Sequence, residues 1–180
     1  MGTHRLLPAA VDQNDLLESR EPHNGCGARC QRRECPTAES RRLAFFGFFL
    51  INTSLEPTQP AEEKRLKMLA VILRDQLAGA GRFSFVTIPP EAQKQAVAGS
   101  GIPNCNGCER DLAERTGAEL VAWGTVQKVS NLILNINLYM EDVQTGKIEF
   151  AHSVDIRGNT DETWRHGLNY MIRHYVLEQS

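Results

Sequence analysis

Three features of the sequence predict an α/β fold of the α+β sandwich kind, with helices packed on a mixed sheet. Leu43 to Ile51 is an unbroken, aromatic-rich apolar run. Ala61 to Ala78 repeats apolar residues at helical spacing. Leu132 to Asp142 alternates with a period of two, inside a C-terminal three-stranded antiparallel meander. An apolar run of that length suits a strand buried on both faces, whereas strict alternation suits an antiparallel strand with one wetter face.

The elements follow in order from local signals. Asn52 to Pro60 is a polar loop with two prolines. In Ala61–Ala78, Leu66, Leu69, Ala70, Leu73 and Leu77 form one stripe; Glu62 and Glu63 complement the dipole of the first turn, and Gly79 and Gly81 end the helix. Arg82 to Ile88 reads as a second strand, stopped by Pro89 and Pro90. Glu91–Ala98 and Glu109–Thr116 read as short helices either side of a Gly/Ser/Pro stretch, with Gly117 ending the second.

Leu120–Val129, Leu132–Asp142 and Lys147–Ile156 make the meander, turned at Ser130-Asn131 and at Gln144-Thr145-Gly146. Leu132, Leu134, Ile136, Leu138 and Met140 share its apolar face. Asn159 or Thr160 caps a last helix whose stripe is Trp164, Leu168, Met171, Ile172 and Tyr175. The expected order is β-α-β-α-α-β-β-β-α, one domain over residues 41–180. Residues 1–40, rich in Arg, Glu, Pro and Gly, read as a disordered or poorly ordered N-terminal extension, too poor in apolar surface to offset ordering entropy.

Composition excludes some partners. A formal net charge of -2 gives no global pull towards nucleic acid, and Arg32-Arg33 and Arg41-Arg42 lack interleaved aromatics. The run Leu43–Ile51 is too short for a transmembrane helix, which takes about 20 residues. Leu6 to Val11 is too short for a secretory apolar region, so the chain as it begins reads as cytoplasmic.

The most pointed chemical feature is Cys105-Asn106-Gly107-Cys108. Two cysteines at this spacing can form a disulfide staple, a redox pair or half of a metal site. The staple is the favoured reading. A thioredoxin-like pair follows directly on a strand, whereas a Gly/Pro loop precedes this one, and Glu109 in place of His excludes c-type haem attachment. Zinc would need Cys26, Cys30 and Cys35, with His23 nearby, to join Cys105 and Cys108; no metal or cofactor is expected.

His152, in register with Ile148, Phe150, Val154 and Ile156, reads as a core or rim residue, and His166 and His174 as parts of a solvated helix face. No catalytic residue is assigned: there is no phosphate loop, nucleophile elbow or paired general acid and base. Arg157, Gly158, Asn159, Thr160, Asp161 and Trp164 are a possible binding turn, where backbone amides at a helix start could hold an anion.

Cys105–Glu109, Gly117–Leu120, the strand pair Val126–Asn137, Asp142–Gly146 and the turn Asp155–Trp164 together resemble an uncharacterised proteobacterial family of predicted secreted proteins, a domain of unknown function. The resemblance covers residues 41–180. More distantly, the layout is similar to the N-terminal domain of TolB and to the periplasmic domains of CsgG-like proteins, a likeness of architecture and not of function. The resemblance implies a periplasmic location. It also implies a link to periplasmic quinoprotein alcohol oxidation. Family members begin with a signal peptide where this chain has a cysteine-bearing tail, which a misassigned start would explain. The first strand ends Ile51-Asn52-Thr53-Ser54 where acidic character is expected.

These readings converge on a non-enzymatic periplasmic binding or accessory protein, partnered by another periplasmic or envelope protein. Two alternatives stand beside it: a thiol-redox protein or carrier using Cys105 and Cys108, and a small-ligand sensor using the Arg157–Trp164 turn.

Overall fold

The structure, a computed structural model, describes residues 40–98, 101–105 and 107–178. The extension predicted over residues 1–40, with His23, Cys26, Cys30 and Cys35, therefore lies outside the described residues, Ser40 excepted. The order is β1 (Arg41–Asn52), α1 (Pro60–Gly79), β2 (Phe83–Phe85), α2 (Pro90–Val97), a 3₁₀ turn (Ile102–Asn104), α3 (Cys108–Glu114), β3 (Leu120–Lys128), β4 (Ile133–Asp142), β5 (Ile148–Arg157) and α4 (Asp161–Met171), which runs into a π-helical turn (Ile172–Val176).

The described strands form one mixed sheet in the order β2-β1-β3-β4-β5. β2 and β3 flank β1 in parallel, and β4 and β5 extend the sheet antiparallel. The predicted mixed sheet, meander and packed helices are all present.

The apolar run of β1 feeds two cores because alternate side chains leave on opposite faces. Leu43 and Phe45 join the α1 and α4 side, with Leu69, Leu73, Leu77, Trp164, Leu168 and Met171. Ala44 and Phe46 join the α2 and α3 side, with Ala92, Ala96, Leu112 and Ala113. Between Phe45 and Phe48 the register to β3 slips by one residue, and Gly47 takes φ +100° there. This bulge switches the parity, so Phe48 lands beside Phe45 on the first core instead of opposite it. Glycine suits the site because a left-handed backbone strains residues that carry a Cβ.

Two expectations need correction. The strand predicted over Arg82–Ile88 shrinks to Phe83–Phe85: Val86 N–H still bonds Leu43 C=O, but the next β1 residues enter the bulge and Pro89 follows. Leu132, placed on the apolar face, lies outside β4 and is 61% exposed, whereas Leu134, Ile136, Leu138 and Met140 are buried as expected.

α4 lies close on the meander through Gly167, where a methyl group would overlap Ile156 Cγ2. Thr160 is its cap, accepting from Thr163 N–H at 3.2 Å. Tyr175, expected in the α4 stripe, is half-buried and stacks on His152 at 4.5 Å between centroids, which makes His152 a packed residue on the α4 side of the sheet.

Candidate functional site: a buried ion cluster, a stapled loop and an open edge

The predicted binding turn sits where the C-terminal end of β3 meets the start of α1 and of α4. Lys128 ends β3 on the apolar face and is fully buried, as is Glu62 of α1. Lys128 Nζ lies 2.7 Å from Glu62 Oε1 and 3.5 Å from Glu56 Oε2. Glu62 also accepts from the Gln59 N–H at 2.8 Å and the Asn159 amide at 2.6 Å. Burial alone would raise the Glu62 pKa and is the largest single influence. The Lys128 ammonium, the Gln59 amide and Asn159 together outweigh it, and the carboxyl rests below its usual value. Lys128 is raised, chiefly through Glu62, against the opposing effect of burial.

Asn159 is the hub of this turn. Its Oδ1 accepts from Trp164 Nε1 at 3.1 Å and from Arg65 Nη1 at 2.9 Å, and Arg65 Nε reaches Asp161 at 2.7 Å. The structure thus brings Asn159, Asp161 and Trp164 together around Arg65 and Glu62. Thr160 serves as the cap, Gly158 turns the chain at φ +94°, and Arg157 lies apart at the end of β5. Sequence reasoning missed Lys128, Glu62 and Arg65. Strand parity carried a signal, since Lys128 falls two residues after Val126 on the inward side of β3.

The second site is the Cys105–Cys108 loop on the opposite face. The two cysteines are joined in a disulfide with Cα atoms 5.6 Å apart. Gly101 precedes the loop at φ +68°, and Gly107 lies within it at φ +108°. Glu109 is 7% exposed; its carboxylate accepts from Gly107 N–H at 3.2 Å and lies 3.3 Å from Cys105 Sγ. Nearby, Arg110 Nε pairs with Glu141 at 3.0 Å. Burial, then the Glu109 charge, push the Glu141 carboxyl above its usual range, and Arg110 only partly opposes them.

The third feature is the outer edge of β5. Gly158 N–H donates to Leu132 C=O at 2.9 Å. Stepping by two along an antiparallel ladder, Ile156, Val154, His152 and Phe150 direct their backbone groups to β4. Ala151, Ser153, Asp155 and Arg157 therefore direct theirs outward. Their side chains are exposed on the face that α2 and α3 leave uncovered, where Asn135 donates to Ser153 and Asp155, both at 2.7 Å. Beside this edge a groove of about 400 Å³ runs along α4, lined by Ile156, Arg157, Glu162, His166, Gly167 and Tyr170. A larger hollow of about 520 Å³ lies at the opposite end of the sheet, between Arg41, Phe83, Glu149 and Phe150. Arg41 is held there by Asp142 at 3.2 Å.

A model of the DUF3280 family, described as a protein of unknown function (DUF2380), matches residues 41–176. No curated protein matches the sequence. Among solved structures, lipoprotein GNA1162 from Neisseria meningitidis is similar over 76% of this chain and 95% of its own, with 13% identity and a TM-score of 0.51. The LpoB C-terminal domain from Salmonella enterica matches 69% of this chain and 87% of its own at 18% identity and a TM-score of 0.49. TolB from Acinetobacter baumannii matches 75% of this chain and 28% of its own at 11% identity and a TM-score of 0.37. At 13% identity the likeness to GNA1162 is one of fold.

Proposed function

We propose, for a chain that belongs to the DUF3280 family of unknown function, that it is a non-enzymatic accessory protein of the bacterial envelope, receiving an extended segment of a protein partner along β5. The observation that carries this reading is the ten-residue β5, which ends the described sheet with the backbone groups of Ala151, Ser153, Asp155 and Arg157 directed outward. Such an edge is a template for an added strand, which gains main-chain hydrogen bonds while alternate side chains enter neighbouring pockets. The groove along α4 supplies the pocket, with Tyr170 43% exposed at its rim.

Three further observations support the reading. A disulfide suits an oxidising compartment, and the similar fold in Neisseria belongs to a protein named a lipoprotein. The buried charges Glu62 and Lys128 are committed to each other, which is a structural use of ionisable groups.

The test is site-specific photo-crosslinking in the native bacterium. A crosslinker at Asp155 should give a discrete protein adduct, and one at exposed Val71 of α1 should not. Ser153→Pro removes an outward N–H without touching the β4 ladder, so it should abolish the Asp155 adduct while Ser153→Ala keeps it. Equal adducts from Asp155 and Val71, or an adduct indifferent to Ser153→Pro, would remove the edge from the proposal.

A further inference from the structure

The contact between Glu109 and Cys105 makes poor sense in the oxidised protein. A disulfide sulfur carries no proton, so it offers the buried carboxylate 3.3 Å away no hydrogen bond. Gly107 N–H is the donor shown for that carboxylate, and Glu141, itself a buried acid, adds repulsion. The arrangement acquires a chemical purpose when the sulfurs are thiolates. Cys105 Sγ, Cys108 Sγ and a Glu109 carboxylate oxygen all lie within 4.8 Å of one another. The Cα separation of 5.6 Å already holds the two sulfurs on one side of the loop. Glu109 is buried beneath them by α3, and the left-handed Gly101 and Gly107 fold the chain around the group.

We propose that reduction turns this loop into a site for one thiophilic divalent cation of the zinc class. It is held by the thiolates of Cys105 and Cys108 and the carboxylate of Glu109, with water completing a tetrahedral set. A dithiol reductant cleaves the S–S bond; two electrons and two protons pass to the two sulfurs, and the reductant leaves as its own disulfide. Binding the cation then expels both thiol protons to solvent. Two thiolates and one carboxylate over-neutralise a divalent ion by a single charge, in a neighbourhood where Arg110 pairs with Glu141. Oxidation removes both sulfur ligands at once, so disulfide and cation exclude each other. The site stands independently of the β5 edge, and neither reading depends on the other.

Cobalt(II) is the probe, in the full chain with Cys26, Cys30 and Cys35 replaced by serine so that only this pair can respond. After reduction, one equivalent should produce a thiolate-to-cobalt charge-transfer band, and zinc should displace it stoichiometrically. The same protein left oxidised should give no band. Glu109→Gln should retain the band but weaken binding by about ten-fold or more, and Cys105→Ser should weaken it further. A thermal melt of each variant checks that it is folded. If the reduced protein gives no band, or if a folded Glu109→Gln variant binds as tightly as its parent, the three-ligand site is wrong. A folded Glu109→Asp variant with intermediate affinity would place the carboxylate at the ion.

Discussion

The two faces of the sheet are built from the same strands but held by different means. One face carries the twenty-residue α1 and the eleven-residue α4 with its π-helical extension. Leu69, Leu73, Leu77, Trp164 and Leu168 lie there without solvent exposure. The other face carries α2 and α3, eight and seven residues long, filled largely by alanines and Leu112. Helices so short have little stability of their own. Their layer bears the disulfide and leaves the β4–β5 half of the sheet to a polar ladder of Asn135, Ser153 and Asp155. Apolar bulk closes one side. The other is a thin layer stapled by a covalent bond, and both the open sheet surface and the proposed metal site lie on it.

The buried charges repeat the contrast. On the α1 side, Glu62 and Lys128 balance each other and Asn159 takes up the remaining valence. On the α3 side, Glu109 and Glu141 repel each other, and Arg110 pairs with Glu141. One pair strengthens its face, and the other leaves its face with an unbalanced acid.

Five substitutions would break or sharpen this comparison. The largest effect is expected from Trp164→Ala, about 4 kcal/mol in urea unfolding, because it empties the sealed face of its largest side chain. Leu112→Ala on the thin face should cost about 2 kcal/mol, and equal losses would mean that the layers are equivalent.

Next, Lys128→Met should cost about 3 kcal/mol at neutral pH by stranding Glu62. The pH response should differ between the faces. Glu62 has a folded pKa below its ordinary 4.5, so its contribution is complete above that value and is lost as pH falls through the folded one. Glu141 has a folded pKa above 4.5, so stability declines as pH rises from 4.5 through the folded value. Urea midpoints from about pH 3 to about pH 7 should therefore lose their acid-side drop in Lys128→Met and lose the opposing decline in Glu141→Gln. Unchanged profiles would show that neither cluster is coupled to folding.

The effect confined to the thin layer is expected from Cys105→Ser. Closing so short a loop gives about 2 kcal/mol in the chain-entropy account, and the loss should show as amide exchange confined to α2 and α3. Exchange spreading to α1 and α4 would show that the staple supports the whole domain.

Periodicity made most of the fold legible, because it reports directly which side of an element meets a core. The α1 stripe and the β4 alternation needed nothing else, and the CxxC spacing favoured the staple over a redox pair or a metal half-site. The short β2 was not legible, since its length depends on where its neighbour bulges. Nothing in the sequence linked Glu109, Glu141 and Arg110, because sequence spacing does not show that α3 folds back over the end of β4. The β5 edge was equally hidden: a strand reads the same whether it lies at the centre or the margin of a sheet.

By itself, then, the sequence determined the kinds and order of elements, their apolar faces and the close spacing of Cys105 and Cys108, all properties of nearby residues. Only the tertiary structure decided that Lys128 meets Glu62, that Asn159 and Trp164 hydrogen-bond within the predicted binding turn, and that β5 ends the described sheet. Those depend on strand order and on long-range contact, which bring together residues that local periodicity treats as unrelated.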